Sequence, residues 1–279
     1  MFKRLYMLIK ISRKLATSGV TNSIYKIYNP PTLIKIFFSI MGMGKNNNFN
    51  SNLNSSGEQL CKTLQEMGTT FIKLGQFLAT RPDIIGENLA SDLEKLQDKL
   101  PPFGSEKAKS ILREELGNDN YNKIENFSPP IAAASIAQVH FADITENNKK
   151  KTVAIKILRP EIEKIFNEEL DALMLLAYFI ETLVKKTKRL KLVETVFLLK
   201  EITNIEMDLR FEAAAANELY ENTKNDIGFK VPKIYWNFTR KKILCLDKIE
   251  GTPIRQIQDL KSKNIDLEKL SKNIIQHFL

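Results

Sequence analysis

Lys156 closes the run Val153-Ala154-Ile155-Lys156, where apolar residues would fix a strand in a sheet and hold one ammonium group in a set direction. A lysine presented in that way suits a phosphate, because it is a compact cation with three donors. Upstream lies Ile131-Ala132-Ala133-Ala134-Ser135-Ile136-Ala137-Gln138-Val139-His140, which reads as a hairpin with small residues at its tip. Small tip residues let backbone N–H groups approach phosphate oxygens. Alanine keeps that small size but makes left-handed backbone costly, so the tip should be stiff. Three carboxylates, Glu206, Asp208 and Glu212, follow within Glu206-Met207-Asp208-Leu209-Arg210-Phe211-Glu212-Ala213. On a helix, i and i+2 do not share a face, so these acids would span an arc. Lys73 stands in Phe71-Ile72-Lys73-Leu74-Gly75-Gln76. By residue type alone, Lys73 is a solvated charge beside an apolar stripe and the three acids are a solvated helix face. Gln76 then reads as a local cap and His140 as a satisfied strand residue.

The elements that must position these residues follow from periodicity. Residues 58–78 are helical by period, with Leu60, Leu64, Met67, Phe71, Leu74 and Leu78 on one face. Helix continues over 88–99 and stops at Pro101-Pro102. A shorter helix over 106–116 is closed by Gly117. Strands are expected over 127–144 and 151–158, joined by a turn over 145–150. A long helix over 160–186 and another over 192–223 come next. Strands over 230–236 and 242–249, a turn over 250–253 and a helix from 266 complete the order. Helices, strands, helices, strands and helix in that sequence make an α+β fold rather than alternating βαβ units. Residues 1–17 mix apolar and basic side chains as a basic amphipathic helix. Such a helix suits an anionic membrane surface, or packs its stripe on the domain as an ordinary surface helix. Residues 45–57, rich in Asn and Ser, read as a linker.

The chain has 279 residues with 43% apolar content, enough for a packed core. Its net charge of +9 favours acidic partners such as nucleotide, anionic lipid or nucleic acid, although a Lys-, Asn- and Ile-rich composition also arises from AT-rich coding. Two cysteines, Cys61 and Cys245, make no disulfide framework, and two histidines make no histidine-based metal site. No apolar run is long enough to cross a membrane, and no signal-peptide pattern is present. Helix-turn-helix, zinc and RNA-binding signatures are absent, which argues against a nucleic-acid partner. There is no GxGxxG fingerprint for a flavin.

Taken together, the ordered motifs resemble the UbiB/ADCK family of atypical protein-kinase-like proteins. PPIAAASIAQVHFADI followed by VAIKILRP is similar to that family's alanine-rich loop and lysine strand. Residues 71–76 resemble its KxGQ motif, and residues 206–212 its ExD motif with the glutamate that follows. VPKIYW…ILCLDKIEGTPI resembles the strands that lead into its hinge. The resemblance implies a kinase-like N-lobe, a small antiparallel sheet plus helices, with a helical N-terminal extension and a truncated C-lobe. Composition and pattern give a basic amphipathic region over 1–44 and a linker over 45–57; the resemblance, which runs from about Gly57, implies a KxGQ extension over 58–126, the N-lobe over 127–250, and the hinge with the start of the C-lobe over 251–279. Lys156 would contact the phosphates of ATP or ADP, Glu212 would hold Lys156 extended, and Ala132, Ala133, Ala134 and Ser135 would form the phosphate loop. Lys73 would meet Glu206 and Asp208. Glu168 and Glu169 are rival partners for Lys156 by spacing, on a helix that otherwise looks like core.

The same resemblance implies a part in ubiquinone biosynthesis at the cytoplasmic side of a bacterial inner membrane. The implied partners are quinone-precursor lipids, an anionic membrane surface, a separate C-lobe fragment or other quinone-biosynthesis proteins. Neither a catalytic-loop HxD with its Asn nor a DFG-type aspartate for Mg²⁺ is found, so the sequence alone leaves two readings. One is an atypical kinase or ATPase component. The other is a non-catalytic pseudokinase remnant that binds a partner or lipid.

Overall fold

The computed structural model describes residues 2–17, 32–43, 56–96, 100–146 and 148–278. Its helices and strands, in chain order, are α1 (Phe2–Thr17), α2 (Thr32–Gly42), α3 (Ser56–Met67), α4 (Thr69–Ala79), α5 (Pro82–Ile85), α6 (Glu87–Glu94) and α7 (Ser105–Tyr121). Strands β1 (Ile124–Glu125), β2 (Ala132–Ala133), β3 (Ala137–Glu146) and β4 (Lys149–Leu158) follow. Then come α8 (Ile162–Leu183), α9 (Leu192–Glu206), α10 (Leu209–Thr223), β5 (Ile243–Asp247), α11 (Ile257–Ser262) and α12 (Leu267–Phe278). The α+β class read from the sequence is therefore the class observed. The linker expected over 45–57 lies outside the described residues except for its last two, which open α3.

The chain forms two compact units. The first comprises Met1–Pro102, Ala133–Ala137 and Arg159–Met207. It is helical: α8 packs against α9, α1 and α4, while α3, α4 and α6 form a trio. Leu64, Phe71, Ile72, Leu93, Leu96, Phe166, Leu170 and Leu199 are buried in it. The single helix expected over 58–78 is broken at Gly68, whose φ of +107° a side chain would make costly. Gly68 N–H closes α3 onto Leu64 and Gln65 carbonyls, and its own carbonyl starts α4 by accepting from Phe71 and Ile72. Inside the trio, Gly75 has no room for a side chain. A Cβ there would stand 2.8 Å from Leu64 Cδ1 and 2.9 Å from Leu96 Cδ2.

The second unit comprises Phe103–Ala132, Gln138–Leu158 and Asp208–Leu279. Its sheet runs β1-β3-β4-β5, with β2 also paired to β3. β4 and β5 are antiparallel, with Val153 opposite Asp247 and Lys156 opposite Leu244. Alternation on β4 sends Val153, Ile155 and Ile157 into a core with Ala142, Ile144, Ile243 and Cys245. Ala108, Ile111, Leu112 and Leu116 of α7 cover it at helical spacing. Each fully buried aliphatic side chain there contributes about 1.5–3 kcal/mol. Gly117 interrupts α7 with φ +72°, at the position where the sequence ends that helix.

Two further expectations change. The single helix over 192–223 is two helices, because Asp208 is extended (φ −121°, ψ 95°) and caps α10 by accepting from Arg210 N–H. The strand over 230–236 reduces to a bridge between Ile234 and Leu246, followed by a 3-10 turn over Trp236–Phe238. Pro232 supplies no N–H to a ladder there, and only Tyr235 N–H to Cys245 and Asp247 N–H to the Lys233 carbonyl are formed. Among the described residues no helix is long and apolar enough to cross a membrane.

Candidate functional site

In the second unit, Lys156 meets Glu212. β4 aims the lysine from the sheet, because its neighbours Ile155 and Ile157 are fully buried on the opposite side of the pleat. Glu212 stands in the first turn of α10. Lys156 Nζ donates to both carboxylate oxygens, at 2.7 Å and 3.0 Å. The lysine side chain is 26% exposed and the glutamate 50%. An ion pair this open to water contributes at most about 1 kcal/mol to folding. Its consequence is orientation: a cation held extended on a rigid strand, still reachable by an anion.

In the first unit, Lys73 of α4 meets Glu206, the last residue of α9, at 2.8 Å. The Glu206 oxygen in that contact is itself shielded from water. Asp208 takes another partner. Its carboxylate receives Arg210 Nε at 2.9 Å and Nη2 at 2.6 Å, together with the Arg210 backbone N–H. That guanidinium holds the Asp208 carboxyl below the ordinary carboxylate range. Glu206 thus ends α9 while Asp208 is the extended cap of α10, so the two do not lie on one arc of a single helix. Glu169, a rival for Lys156 by spacing, lies in the first unit beside Thr70, where burial pushes its carboxyl up.

The alanine tip is pinned by residues that the motifs did not single out. Ala132 and Ala133 form β2, and Ala134 N–H donates to Ala137 carbonyl at 2.8 Å. Ala132, Ala133, Ala134 and Ser135 all avoid the left-handed backbone that alanine disfavours. Ser135 is fully buried. Its carbonyl accepts from Thr69 Oγ1 at 3.2 Å, one turn before Lys73 on α4. Arg159 donates Nε and Nη2 to the Ala134 carbonyl, at 3.1 Å and 2.8 Å, and Nη2 also reaches Pro101 carbonyl at 3.0 Å. An arginine directly after an apolar strand was the available signal for this clamp.

His140 is a satisfied strand residue. Its Nδ1 lies 2.8 Å from the Ser128 carbonyl and its Nε2 lies 2.9 Å from Gln138 Nε2. The Gln138 side chain pairs like a short strand with the Phe103 backbone, accepting its N–H at 2.9 Å and donating to its carbonyl at 3.2 Å. With Gln138 as donor, the histidine is neutral with its proton on Nδ1, and burial lowers its pKa. The buried Cys245 thiol is pushed up by desolvation and sits passively in the core. Among the described residues, no group of three or more His, Cys, Asp or Glu side chains is placed to hold a metal ion.

Residues 95–279 match the ABC1 atypical kinase-like domain. The chain is similar to the "Probable protein kinase UbiB" of Marinobacter nauticus, 36% identical over 249 residues, covering 89% of this chain and 44% of the relative. It is 34% identical over 223 residues to the protein of the same name from Pseudomonas aeruginosa, covering 80% of this chain and 41% of that one. To that of Glaesserella parasuis it is 36% identical over 225 residues, with the same coverage of 80% and 41%. The chain thus spans less than half the length of these curated relatives. A domain match over more than half of the chain, together with UbiB-named relatives matched over most of it, shows that the chain belongs to the UbiB/ADCK family of ABC1 atypical kinase-like proteins.

Proposed function

We propose that this chain binds ATP or ADP and supports ubiquinone biosynthesis as a UbiB-type atypical kinase-like protein. The observation that carries this reading is the Lys156–Glu212 pair, with both carboxylate oxygens on one ammonium. A strand lysine steadied by a helix carboxylate is the arrangement that meets nucleotide phosphates in kinase-like folds. ATP, when bound, supplies a transferable phosphoryl group. Lys156 would hold its phosphates, and Glu212 would keep that ammonium extended. Ala132, Ala133, Ala134 and Ser135 are the phosphate loop in this reading, a role that rests on motif order rather than on a distance. Mg²⁺ belongs to the same reading through the family. Lys73 paired with Glu206 would be a second control point on α4. Greasy quinone precursors and a basic chain of net charge +9 are in keeping with work at an anionic membrane surface.

The test is complementation of a ubiquinone-deficient bacterial strain with this chain and with Lys156→Ala and Glu212→Gln. Restoration by the native chain and loss of most ubiquinone with Lys156→Ala is the expected result. Equal restoration by Lys156→Ala would overturn the nucleotide role and leave a non-catalytic partner- or lipid-binding module.

A further inference from the structure

The first turn of α10 carries Glu212, and its backbone hydrogen bonds converge on one residue. Leu209, Arg210 and Phe211 precede Glu212 in that turn. Leu209 N–H donates to the Lys241 carbonyl at 2.9 Å, Arg210 N–H to the Asp208 carboxylate at 3.1 Å, and Phe211 N–H to the Asp208 carbonyl at 3.0 Å. Asp208 therefore supplies two of the three acceptors that this helix start requires. Arg210 in turn holds the Asp208 carboxylate, with Nε and Nη2 on its two oxygens at 2.9 Å and 2.6 Å. The Asp208 side chain is only 13% exposed.

The same turn is docked on the sheet. α10 packs on β5 and buries Leu209 and Ala213. β5 is the direct neighbour of β4, with Leu244 opposite Lys156. Glu212 lies between exposed Phe211 and buried Ala213, at the border of the docked face. At 3.6 residues per turn, each residue advances about 100° around a helix, so the direction of Glu212 depends on an intact first turn. Helix ends fray, and a frayed first turn would carry this carboxylate away from Lys156.

We propose that Asp208 is a positioning residue for the Lys156–Glu212 pair. By capping α10 it fixes the first turn from which Glu212 reaches the ammonium, and Arg210 keeps its carboxylate in the capping pose. Asp208 acts through Glu212 and not on a phosphate itself. The consequence for nucleotide binding rests on the proposed function; the placement of Glu212 does not.

The test is acetylation of the purified chain by the N-hydroxysuccinimide ester of acetic acid, with rates resolved by residue in mass spectrometry. Ion pairing slows acylation of an amine, so the Lys156 rate reports whether Glu212 is in place. Lys150, on the same strand and paired with Glu125 at 2.8 Å, is the internal reference. Glu212→Gln should raise the Lys156 rate by up to about fivefold, the ratio for a pair so exposed. Asp208→Ala should raise it by a comparable factor, leave Lys150 at its native rate, and add nothing when Glu212→Gln is already present. Asp208→Asn keeps a capping acceptor and should lie nearer native than Asp208→Ala. Circular dichroism melts report whether each variant is folded. If Asp208→Ala is not, Arg210→Gln, which releases the carboxylate from its clamp, takes its place and should raise the Lys156 rate in the same direction. The proposal is overturned if Glu212→Gln or folded Asp208→Ala leaves the Lys156 rate unchanged. It also fails if Asp208→Ala speeds Lys150 equally or adds to Glu212→Gln, or if Asp208→Asn behaves as Asp208→Ala. Calorimetric titration of the same proteins with Mg²⁺ and ADP keeps the two readings apart. Weaker binding by Asp208→Ala, matched by Glu212→Gln, extends the positioning role to the nucleotide. No binding by the native chain, with the Lys156 rates as expected, leaves the positioning role standing and removes the nucleotide reading.

Discussion

At the scale of single residues, His140 shows how burial sets a protonation state. Its Nε2 faces a donor, Gln138 Nε2, and a second ring proton there would oppose that N–H. Gln138 cannot turn its carbonyl oxygen to the ring without surrendering the Phe103 N–H. Neutral His140 is therefore the folded form, and its pKa lies below the ordinary 6.5. A depressed histidine pKa means the unfolded chain takes up protons first. The stability it contributes is full above about pH 6.5 and is lost as pH falls through the folded value. Melting temperatures measured between pH 7.5 and about 5 should fall for the native chain, and His140→Asn should give a flatter slope, whatever its absolute stability. The sequence showed His140 as a strand residue, but Gln138 and Phe103 are 35 positions apart and their pairing was not legible. The same holds for Arg159: its clamp on Ala134 and Pro101 depends on three segments meeting, and an arginine after a strand does not reveal them.

At the scale of elements, periodicity found the helices and missed their breaks. A hydrophobic stripe from Leu60 to Leu78 continues in phase across Gly68, so it reads as one helix. The backbone turns there because glycine alone takes φ +107° cheaply. Likewise Asp208 falls within a helical pattern, yet its side chain captures Arg210 N–H and starts a new helix. That break matters for the candidate site, because it separates Glu206, which holds Lys73, from Glu212, which holds Lys156. The Lys156–Glu212 pair was expected from the family resemblance; strand alternation indicated only the direction of Lys156, and by residue type Glu212 read as part of a solvated helix face. Gly75 explains one letter of the KxGQ motif by packing. Gly75→Ala would press a methyl onto Leu64 and Leu96, both buried. Overpacking of this kind costs about 1–3 kcal/mol, so chemical denaturation should show a lower midpoint with an unchanged slope.

At the scale of the whole molecule, the chain passes between its two units several times, and each unit contains one of the two lysine–glutamate pairs of the family motifs. Lys73–Glu206 belongs to the helical unit and Lys156–Glu212 to the sheet unit. No linear reading of domains could place residues 133–137 with the first helices and residues 138–158 with α7, since that division follows contacts rather than sequence order. We propose that Lys156, held by Glu212, is a phosphate-binding cation rather than a stabilising surface charge. Calorimetric titration of the purified chain with ADP or ATP, with Mg²⁺ present, tests it most directly when Lys156→Met is titrated beside the native protein. Saturable binding by the native chain is expected, with at least about tenfold weaker binding by Lys156→Met and a melting temperature within a few degrees of native, because so exposed a pair adds at most about 1 kcal/mol. Equal affinity in the two proteins, or no binding by the native chain, would contradict it.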